Sequence, residues 1–334
     1  MAATMRLKPV KQQVMVIVGA SSGIGLSTAR MAAARGARVV VAGRSARALA
    51  QLVDELRAKS CEAIAVVADA TSEAAVQHIA DEAVRAFGGF DTWVNDAAVS
   101  AYAYCLQLPL DDMHQIIATN FWGTVYGSRV ACAHLCKTGG ALINVGSVLS
   151  DVAVPLQGAY SASKHAVKGW TDALRVELIH QRAPVSVTLI KPSAIDTPYA
   201  LHAENYLKDH TTHIPPVYGP RSVAAAILYA AQHPVRELIV GGSGKILLAL
   251  NTLSPSLVDR ALAHLFIPAT HTGRPREGRA NLFEPSESLE EIGDYRGLTR
   301  PSIYTALARR PALTRTVGAG AAIALAAWWR RRQA

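Results

Sequence analysis

Tyr160 and Lys164 stand four residues apart in Tyr160-Ser161-Ala162-Ser163-Lys164, which places both side chains on one face of a helix. A tyrosine hydroxyl has an ordinary pKa of about 10 and is a poor proton carrier at neutral pH. An ammonium beside it favours the phenolate and brings the group toward the working range, so the pair suits general acid–base chemistry. Ser147 lies upstream, directly after an apolar run, and is expected at the carboxyl edge of a sheet, where open α/β sheets bind ligands. A Tyr-x-x-x-Lys pair alone is often a chance helix-surface pair. Its coincidence with Ser147 and with a glycine turn near the N-terminus makes it a candidate site.

That turn is Gly19-Ala20-Ser21-Ser22-Gly23-Ile24-Gly25, placed between an aliphatic run and a helical segment. Glycines there let the backbone approach a dinucleotide pyrophosphate, and the free N–H groups of the helix start face the anion. The spacing Gly-x-x-x-Gly-x-Gly differs from the usual G-x-G-x-x-G, so its position after the first strand matters as much as its composition. At the end of the second strand an acidic residue would bind the ribose 2′-hydroxyl of NAD and repel the 2′-phosphate of NADP. Ala42-Gly43-Arg44-Ser45 has no acid there and offers a guanidinium, which pairs bidentately with phosphate. NADP(H) is therefore the expected cofactor, with NAD(H) as the alternative.

The elements that must position these residues alternate regularly. Val14–Val18, Arg38–Ala42, Ala63–Ala68, Thr92–Val94, Ala141–Val145, Val185–Ile190 and Glu237–Val240 read as strands. Helices are expected at Leu26–Arg35, Arg47–Lys59, Glu73–Phe87, Met113–Cys136, Tyr160–His180 and Val223–Gln232. Short unbroken apolar strands alternating with helices imply βαβ crossovers and an α/β fold with a doubly wound parallel sheet of about seven strands. The division by length alone suggests two domains. The pattern instead gives one catalytic domain over 12–245, an apolar helical extension over 246–267, a linker or loosely attached tail over 268–301, and a basic, apolar C-terminal segment over 302–334.

With these motifs in order, residues 12–245 resemble the short-chain dehydrogenase/reductase family, whose fold is the NAD(P)-binding Rossmann fold. The glycine motif matches with Gly19, Ser21, Ser22, Gly23, Ile24 and Gly25. Asp69 matches the acidic residue that helps hold the adenine. Asn95-Asp96-Ala97-Ala98 keeps only the first and third positions of the family's Asn-Asn-Ala-Gly. Pro192-Ser193-Ala194-Ile195-Asp196-Thr197 matches the Pro-Gly-x-x-x-Thr motif near the nicotinamide, with Ser193 in place of Gly. The resemblance implies cofactor binding through these glycine-motif residues, Arg44, Asp69, Asn95, Tyr160, Lys164, Pro192 and Thr197. It also implies a catalytic tetrad of Asn120, Ser147, Tyr160 and Lys164. Tyr160 would be the acid/base, Lys164 would lower its pKa and hold the nicotinamide ribose, Ser147 would bind the substrate oxygen, and Asn120 would position a water. Homo-oligomers are usual in the family and are expected here.

Around the substrate, Ser100–Leu108, Val148–Gln157 and Pro192–Pro216 supply Tyr102, Tyr104, Leu106, Val152, Val154, Pro155, Leu156, Tyr199 and Leu201. A mostly apolar lining suits a lipophilic carbonyl or alcohol, with a polar sugar or polyol as the alternative substrate. His202, His210 and His213 are expected as solvated loop histidines, and no metal site is expected. A regulator that binds nucleotide without turnover is the rival reading, for which the tetrad has no use. Half of the 334 residues are hydrophobic and 18% charged, which excludes a mainly disordered chain. Four sparse cysteines read as reduced thiols of an intracellular, cytoplasmic protein. Of the net charge of +9, +5 falls from Pro268 onward, where 11 arginines flank an uncharged run over Thr316–Trp329. No recognition motif accompanies those arginines, so nucleic acid is not expected. Association of the C-terminus with a membrane surface is, with a helix packing on the catalytic domain or a partner subunit as the alternative.

Overall fold

The computed structural model describes residues 5–275, 278, 280–299 and 302–308. Its strands are β1 (Val14–Val18), β2 (Arg38–Gly43), β3 (Ala63–Val67), β4 (Thr92–Asn95), β5 (Ala101–Tyr102), β6 (Gly140–Val145), β7 (Val185–Pro192), β8 (Glu204–Asn205) and β9 (Glu237–Val240). Its helices are α1 (Gly23–Ala33), α2 (Ala46–Ala58), α3 (Glu73–Phe87), α4 (Leu110–Ile117), α5 (Gly123–Thr138) and α6 (Gly158–His180). They continue as α7 (Tyr199–His202), α8 (Pro220–Ala230), α9 (Gly242–Leu253), α10 (Pro255–Ala261), α11 (Ile267–Thr270) and α12 (Ile303–Ala308).

Seven strands form one parallel sheet in the order β3-β2-β1-β4-β6-β7-β9. All five residues of β1 are buried, as a strand covered on both faces requires. Leu26, Leu49, Leu52, Val223 and Ile227 of α1, α2 and α8 cover one face. Val76, Ile79, Val130, Leu135 and Leu178 of α3, α5 and α6 cover the other. The chain leaves β1 toward β2 on one side and returns to β4 on the other. The carboxyl ends of β1 and β4 therefore flank the switch point where doubly wound sheets open a crevice.

Three differences from the sequence reading bear on the site. The long helix expected at Met113–Cys136 is α4 and α5 joined through a π-helical turn, Ala118–Trp122, which contains Asn120. A second, two-stranded parallel sheet of β5 and β8 ties the loop after β4 to the loop after α7. Within the 268–301 stretch, expected as a loose linker, the described residues 280–299 are irregular but anchored: Leu282 is 1% exposed and the Gly23 N–H donates to the Glu290 carbonyl at 2.9 Å. Among the described residues no helix is long and apolar enough to cross a membrane. The apolar run 316–329 and its arginines lie outside the described residues.

Candidate active site

The turn after β1 is shaped by contact with the loop after β4. Gly19 has φ +96°, and a Cβ there would lie 2.6 Å from the Ala97 nitrogen. At Gly25 a Cβ would run into the Gly19 carbonyl and sit 2.9 Å from the Asp96 carboxylate. Only glycine lets α1 start this close to β1 and β4. The cradle so formed, with the first N–H groups of α1 and the Ser21 and Ser22 side chains, fits a dinucleotide diphosphate. Gly19, Ser21, Ser22, Gly23 and Ile24 line a cleft of about 480 Å³, while Gly25 lies beneath it. Arg44 and Asp69 line its far end. Asp69 accepts from the Thr71 N–H and hydroxyl, both at 2.9 Å, and Arg44 donates to the carbonyls of Asn281, Leu282 and Phe283.

Asn95 does not line the cleft. Its Oδ1 accepts from Trp93 Nε1 at 2.8 Å and its Nδ2 donates to Asn144 Oδ1 at 2.9 Å, so the amide is spent cross-linking β4 to β6. Burial of those partners explains the position: a polar network inside a sheet must be paired throughout.

At the carboxyl edge of β6, Ser147 caps a short 3-10 turn and accepts from the Leu149 N–H at 3.1 Å. Its side chain also acts on the Tyr160 hydroxyl, favouring the ionised form. Tyr160 and Lys164 project from the first turns of α6, with the Lys164 ammonium 5.6 Å from the Tyr160 ring centroid. Lys164 donates to the Val145 carbonyl at 2.8 Å. Ser147, Tyr160, Lys164, Pro192 and Thr197 all face the cleft. Asn120 does not: its Oδ1 accepts from the Val99 N–H at 2.8 Å, and its Nδ2 donates to the Val99 carbonyl and the Ser163 hydroxyl, each at 2.9 Å. Its amide thus locks the π-turn to α6 and to the loop after β4.

A glycine cradle, a Ser–Tyr–Lys cluster and a parallel sheet on one cleft agree with the comparisons. The family described as short chain dehydrogenase matches residues 13–206. The chain belongs to the short-chain dehydrogenase family. It is an oxidoreductase of that family, acting on CH–OH or C=O groups with a nicotinamide dinucleotide. It is 44% identical over 330 residues to the uncharacterized oxidoreductase YxnA of Bacillus subtilis, covering 97% of this chain and 92% of the relative. It is 30% identical over 297 residues to 11-beta-hydroxysteroid dehydrogenase A of Arachis hypogaea, covering 83% of this chain and 84% of that one. Among solved structures, a Burkholderia phymatum short-chain dehydrogenase/reductase in complex with NAD superposes with a TM-score of 0.67 at 27% identity, over 73% of this chain and 94% of the other.

The electrostatics of this dehydrogenase site differ from the simple Tyr–Lys picture. Burial pushes the Tyr160 hydroxyl well above its ordinary range; the Ser147 side chain opposes this, and the Asp96 carboxylate adds to it. The Lys164 ammonium lies 5.6 Å from the Tyr160 ring centroid and donates to the Val145 carbonyl at 2.8 Å. Burial lowers the Lys164 pKa, and Asp96 opposes that shift. Burial raises Asp96 in turn, against the pull of Lys164 and the Gly25 N–H. A carboxylate thus stands at the second position of the Asn95–Ala98 stretch, electrostatically joined to both members of the Tyr–Lys pair.

The substrate side of the cleft keeps part of the expected lining. Tyr102, Val154 and Tyr199 face it, and the Tyr160 and Tyr199 rings meet edge to face at 5.4 Å. Tyr104 and Leu106 are exposed, while Val152 and Leu156 are buried in the packing behind the loop. Neither Pro155 nor Leu201 lines the cleft. In their place the segment after β9 contributes Leu247, Leu262, Phe266 and Thr270. The apolar run over 245–266 was the available signal for them, but its sequence does not say which face turns inward. The loop histidines are not solvated. His202 and His210 are buried, and His213, stacked on Tyr199, is lowered by burial to about 4, against the pull of Asp294, and is neutral. Among the described residues no cluster of metal-ligating side chains occurs.

Proposed function

We propose that this chain is an NADP(H)-dependent carbonyl reductase, or alcohol dehydrogenase in the reverse direction, working on a lipophilic substrate. The observation that carries the reading is that Ser147, Tyr160 and Lys164 line one cleft with the glycine cradle, with Lys164 one helical turn behind Tyr160. When bound, the nicotinamide supplies or accepts the hydride. Everything else is the work of side chains. Ser147 orients the substrate oxygen toward Tyr160, and Tyr160 gives that oxygen its proton in reduction or removes it in oxidation. Lys164 supplies buried positive charge behind Tyr160 and a donor for ribose hydroxyls. Asn120 acts by holding the π-turn and α6 in place rather than by touching the reacting atoms.

Arg44 at the end of β2, with no carboxylate beside it in that strand, supports NADP(H) over NAD(H). The lipophilic reading rests on Tyr102, Tyr199, Val154, Leu247, Leu262 and Phe266, and agrees with a relative named for a hydroxysteroid substrate. The test is NADPH and NADH oxidation against a panel of steroid, long-chain and sugar carbonyls. Turnover of the apolar members with NADPH is expected; turnover confined to sugars, or to NADH, would overturn the respective part.

A further inference from the structure

The segment Asn281–Asp294 carries five acids (Glu284, Glu287, Glu290, Glu291 and Asp294) and no Lys or Arg, inside a tail that is otherwise basic. Asn281 lines the nucleotide cleft, and the segment is fastened at several points. The Asn281 N–H donates to the His202 carbonyl at 2.8 Å, and Leu282 is buried among Val99, Ala101, Leu108 and Ile116. Leu289 packs on the core beside α1 and α2. Between these anchors the strap engages the polar groups that the glycine turn and β2 turn toward a dinucleotide. Arg44 donates to the carbonyls of Asn281, Leu282 at 3.3 Å and Phe283 at 3.0 Å. The Ser45 hydroxyl donates to the Glu287 carboxylate at 3.0 Å. The Gly23 N–H, at the first position of α1, donates to the Glu290 carbonyl at 2.9 Å. Arg30, one face of α1 away, donates to the Glu291 carboxylate at 2.8 Å.

Each of these partners is a cation or donor suited to phosphate, and the strap meets each with an oxygen. We propose that the acidic strap Asn281–Glu291, through Glu287 and the carbonyls on Arg44, is a specificity determinant for the dinucleotide, standing where a 2′-phosphate must bind. The inference rests on the dinucleotide reading above and adds the element that tunes it. A neutral ribose 2′-hydroxyl would be compatible with the closed strap, since it brings no charge against Glu287 and could donate to a carboxylate. A 2′-phosphate is not: it carries negative charge against Glu287 and competes with three carbonyls for the Arg44 guanidinium. Binding of NADP(H) therefore draws Arg44 and Ser45 away from the strap, which reduces, without reversing, the advantage that Arg44 gives NADP(H) over NAD(H).

The test reads binding rather than turnover, so it is separable from the catalytic proposal. Dissociation constants for NADPH and NADH are measured by dinucleotide fluorescence on the full chain and on Glu287→Gln. Losing the charge is expected to tighten NADPH by about tenfold and to leave NADH within about twofold. Equal changes for both dinucleotides, or weaker NADPH binding, would overturn the proposal. A second arm needs no variant: amide hydrogen exchange over 281–291 is followed with saturating NADPH and with saturating NADH. Faster exchange with NADPH and unchanged exchange with NADH is expected. Protection of the strap by NADPH would show it to be a wall of the 2′-phosphate site rather than its competitor, and would also overturn the proposal. Absence of carbonyl turnover alongside the expected exchange pattern would fail the proposed catalytic role alone.

Discussion

Replacing Asp96 with Asn removes a buried carboxylate at nearly constant shape, and the direction of its effect follows from the two groups it acts on. The carboxylate favours the ammonium form of Lys164 and opposes the phenolate form of Tyr160. Without it, both groups lose their protons at lower pH. Two unit charges 5 to 8 Å apart at an effective dielectric constant of about 20 interact by about 2–3 kcal/mol, equivalent to about 1.5–2.5 pH units. Partial protonation of Asp96, whose pKa burial raises, makes about 1 unit the working expectation. In alcohol oxidation the limb that reports Tyr160 deprotonation moves to lower pH. In carbonyl reduction, which needs Tyr160 protonated and Lys164 charged, the basic limb moves the same way. The assay is the pH dependence of kcat/KM in both directions for wild type and Asp96→Asn, at saturating dinucleotide. A profile that stays put, or moves toward alkaline pH, would refute the coupling.

Two further substitutions separate structure from ligand binding. Asn95→Leu leaves Trp93 Nε1 and the Asn144 amide without their partner in the sheet interior, and is expected to cost about 2–4 kcal/mol in urea unfolding. NADPH affinity should stay within about twofold in the folded fraction; a fall in affinity at unchanged stability would return Asn95 to the cofactor site. Gly19→Ala forces a Cβ against the Ala97 backbone at positive φ, for an expected loss of about 2–4 kcal/mol together with at least about tenfold weaker NADPH binding. Full NADPH affinity in a protein of wild-type stability would contradict the packing argument.

The parts of this fold that were readable in the sequence are those where residue type leaves no alternative. β1 is apolar throughout because it is covered on both faces, and Gly19 and Gly25 are glycine because backbone from two other segments fills the Cβ position. Tyr160 and Lys164 announce themselves by helical spacing, and Ser147 by following an apolar strand. The strap could not be found in the same way. Its grip on the cleft runs largely through the main-chain carbonyls of Asn281, Leu282, Phe283 and Glu290, which every residue possesses, so no periodicity marks it. The charge of the tail concealed it further, because the net of +5 from Pro268 onward averages an acidic strap with a basic terminus. His202, His210 and His213 look like solvated loop residues until packing from the strap and from the segment after β9 encloses them. The side chains of Asn95 and Asn120 turn away from the cleft for one common reason. An amide that matches a motif has four hydrogen-bonding positions, and only the tertiary structure shows that β6, α6 and the loop after β4 use them.

The central claim is that the Tyr160 hydroxyl carries the proton of the reaction. Its direct test is Tyr160→Phe, which removes one oxygen from a half-buried ring and leaves the cradle at Gly19–Gly25 untouched. Single-turnover reduction of a carbonyl substrate by bound NADPH is expected to slow by about 10³-fold, with the NADPH dissociation constant within about twofold of wild type. A Phe variant that reduces the same carbonyl within about tenfold of the wild-type rate, at unchanged NADPH affinity, would contradict it.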